Sequence, residues 1–463
     1  MTIFPFKKVH FVGIGGIGMS AIAEMLQVNG VLVQGSNDKE NDNTQRLQRG
    51  GIPVIIGHHP NNLKDADCVV VSTATINNIE TQTAKEKHIP IAHRSEMLAE
   101  LLKLKKSICI AGTHGKTTTS SLIASILIEA QMHPSFIIGG ILNAHKSNAQ
   151  MGKGDWVVAE ADESDGSFLK LPSCVSVVTN IDPEHLDYYK TYDREKQAFV
   201  SFLNQTAFYG FNVVCLDHPV IKELLPQIQG RETITYGFDS TANVVGQHVE
   251  WTETGSKFDV HIDMPNQVCF IKGVTLNMLG KHNVQNALAA IAVAVRLGIQ
   301  EDVIKSALAS FHGIQRRLSV RGYTKEGVYI YDDYAHHPNE IKASLAALKD
   351  RVKGRLIAVW QPHRWTRFKD LYFDFLTAFE LADIIGVLDV YAAGEIPIND
   401  VSEDQFVRDI SKRKEAFKTS LDNLAQDLSR MIQPDDCIVC LGAGSISKMA
   451  KQLPEILGGK KND

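Results

Sequence analysis

Short continuous apolar runs alternate along this chain with glycine or polar turns and with stretches whose apolar residues recur at helical spacing. The first unit of that rhythm is KKVHFVGIGGIGMSAIAEML, residues 7–26, which predicts a strand, a glycine turn and a helix running to about Gly30. VLVQGS, CVVVSTA (68–74) and IPIAH (89–93) supply further strands, so residues 1–106 read as one parallel, Rossmann-like sheet. A second sheet opens with SICIA (107–111), a glycine turn and the helical pattern TTSSLIASILIEA (118–130). It continues through the apolar parts of DWVVAEADESDGSF and CVSVVTNIDPEHLD. After FHGIQRRL, the runs GVYIYDD, RLIAVW, DIIGVLDV and DDCIVCLG, separated by helical stretches, predict a third sheet. The expected class is α/β with three domains: a Rossmann-like domain at 1–106, a central P-loop ATPase-type domain at 107–316, and a Rossmann-like domain at 317–463.

Composition narrows the setting. At 463 residues and 44% hydrophobic, the chain can fill about three cores, and no apolar run reaches the roughly 18 residues of a membrane span. A formal charge of −5 shows no basic excess for a nucleic-acid surface, and MTIFPFKK is too short and polar for a secretion signal. A cytoplasmic protein with no membrane insertion is expected. Of seven cysteines, Cys437 and Cys440 form the one C-x-x-C pair; strand alternation separates their thiols, so both read as core residues.

The turns carry the candidate chemistry. GTHGKTTT (112–119) is two residues shorter than G-x-x-x-x-G-K-[ST], yet it lies between a strand and a helix N-terminus. There backbone N–H groups and the helix dipole face an anion, Lys116 adds a charge, and the Thr117 hydroxyl can reach a magnesium ion. Gly13, Gly15 and Gly18 form a dinucleotide fingerprint with Asp38 about twenty residues on, which admits NAD or any nucleotide diphosphate. Glu160 and His185 follow predicted strands, where they could approach the loop and ligate a cation. Asn283 and Asn286 share one face of the next helix and could meet an adenine edge, although capping alone would also explain Asn283. The four runs of the third sheet end in polar clusters: Asp332, Asp333, His336 and His337; Gln361, His363, Arg364 and Arg367; Tyr391 and Glu395; and GAGS at 442–445. Arg364 and Arg367 stand out because a guanidinium fork matches a carboxylate or phosphate.

GTHGKTTT, EADESDGSF, NIDPEHLD, GKHNVQNALAA, YDDYAHHP and QPHRWTR, in this order, resemble the Mur ligases, from about Val9 to about Ser447. GIGGIGM resembles the branch that binds a UDP sugar on its first domain, and this displaces NAD. QPHRWTR sets the chain apart from the sister enzyme that attaches a recovered tripeptide. The resemblance implies ATP and Mg2+ as cofactors, and UDP-N-acetylmuramate and L-alanine as the molecules joined, through an acyl phosphate. It assigns ATP to Gly112, Thr113, His114, Gly115, Lys116, Thr117, Thr118, Asn283, Asn286 and Asp332, and the metal to Thr117, Glu160 and His185. It assigns the substrates to Gly13, Gly15, Gly16, Gly18, Met19, Ser36, Ser72, Arg94, Ser164, Asp165, Arg317, His336, Arg364 and Arg367. Lys116, Glu160, His185, His336, Arg364 and Arg367 would be catalytic. Glycine or L-serine would pass the same pattern as L-alanine, and monomer and dimer are equally compatible with it. Three positions depart from the family pattern: Asn37 for an aspartate, Ala335 for a glycine and Leu318 for a phenylalanine. Several relatives carry a carbamylated lysine near the metal; Lys196 lies near in sequence but at a different spacing from His185.

Overall fold

The computed structural model describes residues 4–142, 147–252, 254–265, 267–311, 313, 316–349 and 351–461. Chain contacts divide it into two compact units. One comprises Met1–Val249, Lys257–Leu276 and Val284–His312; the other comprises Glu250–Ser256, Asn277–Asn283 and Gly313–Asp463.

The first unit holds two sheets. In the N-terminal one, strands Val54–Ile56, Leu32–Asn37, Lys8–Val12, Cys68–Val71 and Ile91–His93 lie side by side in that order, all parallel. The strand order reverses at Lys8–Val12, so the glycine turn after it opens at the switch point where such sheets bind ligands. In the ten-stranded central sheet, Lys106–Ala111 runs parallel between Val175–Val178 and Trp156–Glu160. The phosphate-type loop therefore leaves the middle of a sheet, on a strand buried on both faces from Ser107 to Ala111. The pattern of the second sheet was legible, but Ser135–Leu142 and Ser147–Gln150 add an antiparallel pair beside it.

The second unit is built on a seven-stranded sheet. The four expected strands, at Tyr329–Asp333, Cys437–Leu441, Leu356–Trp360 and Ile384–Val387, are parallel neighbours in that order. Ser319–Tyr323, which no apolar run announces, pairs antiparallel with Tyr329–Asp333 and brings Arg321 beside it. Trp360 anchors one face, with Phe375, Phe379 and Phe406 packed around its indole at ring distances of 4.6–5.3 Å. Cys437 belongs to that face and Cys440 to the opposite one. Burial pushes the Cys437 thiol up to about 12 and raises that of Cys440 further, so neither behaves as a reactive thiol.

Candidate active site

The short phosphate-type loop keeps its shape because a neighbouring strand end holds it from below. Val175–Val178 continues into Thr179, Asn180 and Asp182. Asn180 accepts the His114 N–H at 2.7 Å and returns its amide to the His114 carbonyl at 2.9 Å. Thr113 Oγ1 accepts the Asp182 N–H at 2.8 Å, and the Thr113 N–H reaches the Asn180 carbonyl. Gly112 has φ +130°, and a Cβ there would collide with Thr179 Oγ1, so no other residue can start this turn. Gly115 then caps the helix Lys116–Glu129. His114 and His218 flank Asp182 at 3.3 and 3.4 Å. Burial works against the Asp182 charge, but those two histidines hold its carboxyl well below the usual range.

Lys116 sits at the helix start with its side chain mostly withdrawn from water, 18% exposed. It donates to the Gly112 carbonyl, to the Thr113 carbonyl at 3.2 Å and to Glu163 Oε1 at 2.8 Å. Burial pushes the Lys116 pKa down, but Glu163, Asp162 and Glu184 more than offset it and the net direction is up. Burial and the adjacent Asp162 charge raise Glu163 to about 7, against the pull of Lys116. Both groups move up, so the lysine keeps its proton and Glu163 is the one that titrates near neutrality. Asp162 stays ionised at about 2, because Arg94 at 2.5 Å and Lys116 outweigh its burial. Arg94 in turn lies 3.5 Å from where a Gly18 side chain would begin. Gly18, Arg94, Asp162 and Lys116 thus connect the two glycine loops within one unit.

The expected metal ligands lie around this group. Glu160, at the end of its strand, accepts the Gly139 N–H at 2.8 Å and the Ser120 hydroxyl at 3.4 Å, one turn beyond Thr117 on the loop helix. His185 adopts a left-handed conformation with φ +56° and brings Nε2 to 3.8 Å from Glu163 Oε1. Glu163 Oε2 is buried without a hydrogen-bond partner. Hydroxyl and carboxylate oxygens of this kind suit Mg2+. No three His, Cys, Asp or Glu side chains among the described residues form a cage. Lys196 faces Glu223 at 3.3 Å and Asp193 at 3.7 Å on the outer side of its helix. Its neighbour Glu195 is the buried one.

The remaining expected positions divide. Gly15 approaches Asn37, whose Oδ1 accepts the Gly15 N–H at 3.0 Å; a Cβ on Gly15 would stand 2.8–2.9 Å from Asn37, Asn41 and Thr44. Gly13 donates its N–H to the Ser36 carbonyl, Gly16 caps helix Ile17–Val28, and Met19 is buried in that helix. Ser72 caps a short turn after Cys68–Val71. The Ser164 N–H bonds Asp162 at 3.1 Å, and Asp165 accepts from Thr73 at 3.2 Å. Asn286 accepts from Thr119 at 3.3 Å and lies 2.6 Å from where a Gly115 Cβ would be, directly against the loop. Asn283 turns its amide to the Leu279 carbonyl at 2.7 Å. Ser36 and Asp332, expected to face ligands, are wholly buried. Ser36 donates to Glu80, whereas Asp332 accepts from Arg321 and from Ser447 at 2.7 Å.

In the second unit, His336, His363, Arg364 and Arg367 gather at the sheet's carboxyl edge. The rings of His336 and His363 are 5.8 Å apart, and Arg367 Nη1 is 3.3 Å from His363 Nδ1. Burial first, then the positive charges of His336, Arg367, Arg364 and Arg316, depress His363 to about 3. Arg364 has φ +68°, and its Nε is 4.0 Å from Glu395. His336 and Arg317 both pair with Glu340, at 3.2 and 3.9 Å. Ala335 is buried at ordinary φ, and the Leu318 N–H bonds Asp333, so both departures from the family pattern are accommodated.

Three family models cover the chain: the Mur ligase family catalytic domain at 8–106, the Mur ligase middle domain at 110–294, and the Mur ligase glutamate ligase domain at 316–444. The chain is a Mur ligase. A UDP-N-acetylmuramate–L-alanine ligase of Agrobacterium fabrum is 50% identical to this Mur ligase over 97% of the chain and 96% of its own length. The protein of that name from Rhodospirillum rubrum is 47% identical, with 97% and 94% covered. The crystal structure of UDP-N-acetylmuramate-alanine ligase from Thermotoga maritima matches with a TM-score of 0.81 at 30% identity, covering 97% of this chain and 98% of that one. A murein peptide ligase from Psychrobacter arcticus, 22% identical with a TM-score of 0.73 and covering 97% of this chain and 98% of its own, shares the fold. Among the described residues, no helix of this Mur ligase is long and apolar enough to cross a membrane.

Glu163 and Glu195 were missed in the sequence. Glu163 stands three residues past a more obvious strand end, and Glu195 lies on helix Tyr192–Asn204, between the exposed Arg194 and the half-buried Lys196. Glu195 Oε2 accepts the Glu184 N–H at 3.2 Å, and Oε1 has no partner. Burial, then the charges of Glu163, Glu184 and Asp182, raise Glu195 to about 8 from a starting value of 4.5. The folded state therefore keeps a proton that the unfolded chain loses, and stability falls as pH rises through that window. Glu195→Gln cannot ionise, so it should gain stability relative to wild type between about pH 5 and pH 8, by on the order of a few kcal/mol at the alkaline end. Urea midpoints of both proteins at pH 5 and pH 9 check this; parallel midpoints would contradict the burial of an ionisable Glu195.

Proposed function

We infer that this Mur ligase joins L-alanine to the carboxylate of UDP-N-acetylmuramate at the expense of ATP, in the cytoplasm, as a step of peptidoglycan precursor synthesis. One observation carries the reading. Within a single unit, the glycine loop suited to a pyrophosphate and the Lys116 loop suited to ATP are linked through Arg94 and Asp162, so an acid carried on a nucleotide sugar can meet a γ-phosphate there. The relatives named for this activity, half identical over nearly the whole length, support the same conclusion.

The chemistry follows from the leaving group. Hydroxide leaves an acyl carbon poorly, so a carboxylate oxygen first attacks the γ-phosphorus and ADP departs. The amine of L-alanine then attacks the acyl phosphate, and inorganic phosphate leaves the tetrahedral intermediate. Two anions must approach in the first step, which requires fixed positive charge. Lys116, held by the loop carbonyls, supplies it on the phosphate side. The backbone N–H groups of the loop and Asn286 orient the nucleotide. Thr117, Glu160 and His185 would hold Mg2+, which supplies further neutralisation of phosphate charge when bound. Arg364, Arg367 and His336 form the cationic patch that receives the carboxylates of muramic acid and L-alanine. Arg317 is placed by Glu340 beside that patch.

The direct test is ATP-dependent phosphate release from UDP-N-acetylmuramate against all twenty amino acids. Release that requires the sugar nucleotide and is fastest with L-alanine is expected. Release with no amino-acid requirement would overturn the reading.

Lys116→Ala should lower the turnover rate at least about a hundredfold, the usual cost of one lost charge-stabilising donor, while UDP-N-acetylmuramate still binds. Calorimetric binding beside steady-state rates checks both halves, and a variant with more than half the wild-type rate would remove Lys116 from the mechanism.

Arg364→Lys and Arg367→Lys keep the charge but lose the planar two-pronged hydrogen bond. At least one should raise KM for L-alanine or for the muramyl substrate while ATP affinity stays near normal. A loss confined to ATP would show that these arginines serve the nucleotide.

A further inference from the structure

Two hydrogen bonds from one buried amide join the first sheet to the antiparallel pair that the central sheet adds beside its phosphate-type loop. The amide is that of Asn148, 1% exposed on strand Ser147–Gln150. Its Nδ2 donates to the Ile17 carbonyl at 2.9 Å, and its Oδ1 accepts from Arg46 Nη1 at 2.9 Å. Donor and acceptor are both used, so the amide is held in one orientation. Ile17 opens helix Ile17–Val28, directly after the first glycine loop. Arg46, on helix Asp42–Arg49, spreads its guanidinium over the same point. Its Nη2 donates to Ser20 Oγ at 3.2 Å and to Asn43 Oδ1 at 3.5 Å, and its Nε lies 3.4 Å from Glu24. Asn43 in turn donates its amide to the Gly15 carbonyl at 2.9 Å. Arg46 thus touches the glycine loop through one neighbour and the strand of Asn148 directly.

The same strand pair reaches the phosphate side. Ser147–Gln150 pairs antiparallel with Ser135–Leu142, which runs parallel to Trp156–Glu160. The Gly139 N–H donates to Glu160 Oε1 at 2.8 Å, and a Cβ on Gly139 would stand 2.5 Å from Glu160 Oε2, so this carboxylate packs directly on the strand backbone. From Gly15 the contacts run without a break through Asn43, Arg46, Asn148, the strand pair and Gly139 to Glu160. All of them lie inside the first unit. Adhesion between two sheets needs only apolar contact, whereas a buried amide is tolerated only with its partners supplied. What such an amide adds is a fixed geometry between the elements it joins.

We propose that Arg46 and Asn148 are positioning residues that couple the two nucleotide sites, so that a sugar nucleotide seated on the first glycine loop sets Glu160 for the cation of the ATP site. The coupling rests on the assignment of the first loop to a UDP sugar and of the Lys116 loop to ATP. A ligand that orders this path at one end spares the second ligand the cost of ordering it, and each then binds more tightly in the presence of the other by the same factor.

Calorimetry measures that factor without turnover. The affinity for UDP-N-acetylmuramate is read with and without a saturating non-hydrolysable ATP analogue and Mg2+, in wild type, Asn148→Ala and Arg46→Met. Wild type should bind the sugar nucleotide at least about fivefold more tightly when the analogue is present, the lower end of usual coupling between sites. Either substitution should bring the factor below about twofold, and combining them should lower it no further, because both cut one path. The Arg46 side chain is 23% exposed, so Arg46→Met carries the test if the buried Asn148→Ala does not fold. A clasp that only held the sheets together would lower the melting temperature of the variants and leave the factor at its wild-type value. That result overturns the proposal, and so does a wild type that binds both nucleotides without coupling. Failure to bind the sugar nucleotide at all overturns the assignment of the first loop together with the clasp. Coupling in a wild type that shows no amino-acid-dependent phosphate release counts against the ligase reading and supports the clasp.

Discussion

Withdrawing most of the Lys116 side chain from water is the constraint around which the first unit is arranged. A cation out of water is costly unless it is paired and hydrogen-bonded. Here two loop carbonyls and Glu163 satisfy it, and Asp162 adds negative charge behind them. Asp162 is itself paired with Arg94, which lies against Gly18. Positive and negative groups thus alternate from one glycine loop to the other, and neither loop can shift without disturbing the charges of its neighbour. Under the proposed function, an incoming phosphate competes with Glu163 for the lysine. Because burial already lifts Glu163 to about 7, that carboxyl can answer the loss of Lys116 by taking a proton instead of remaining an unpaired buried charge.

Two of the candidate site residues, His185 and Arg364, and two neighbours of the cationic patch, Arg316 and Leu318, adopt an unusual backbone conformation. His185, Arg316, Leu318 and Arg364 all have positive φ, a conformation that costs a non-glycine residue on the order of 1 kcal/mol or more. Each is held by bonds made around it. The N–H groups of Tyr188 and Tyr189 converge on the His185 carbonyl, the Tyr334 N–H takes that of Arg316, and the Arg364 N–H reaches the Tyr391 carbonyl. The strain places His185 at Glu163 and turns Arg364 toward Glu395. Such local cost is the expected companion of a site whose side chains must point in directions that regular structure does not offer.

How far the sequence foretold this depends on the range of the interaction. The three sheets were readable because parallel strands buried on both faces are continuous apolar runs, as in Val175–Val178 and Cys437–Leu441. The Lys116 loop was readable because strand, glycines, lysine and helix are contiguous. Its support was not: Asn180 and Asp182 lie 66 and 69 residues away from their loop partners, and no local pattern announces them. Ser36 and Asp332 show the converse limit. A polar residue at a strand end has the same local signature whether it faces a ligand or a buried partner, and their partners come from helix Ile79–Glu86 and strand Ser319–Tyr323, which lack a strong periodic signal. Glu163 was hidden by the acidic run around it, since strand alternation singles out Glu160 and says nothing about which later carboxylate turns inward.

The departure at residue 37 then takes on a physical meaning. A carboxylate there could accept the Gly15 N–H as Asn37 does, but it could not also donate to the Lys39 carbonyl at 2.7 Å. The amide closes a tight local turn at the end of the strand, and that turn carries the next side chain, Asp38, outward to His58. An asparagine that appears to remove an acid from the first domain instead fixes the backbone that presents one a residue later. His58 can receive it because Ser36 and Glu80 hold its other ring nitrogen, and Glu80 remains charged because His10, Ser36 and Asn62 bond it in the core. Hydrogen bonds made inside the domain by Glu80 and Ser36 thus reach, through His58, the exposed edge of this loop.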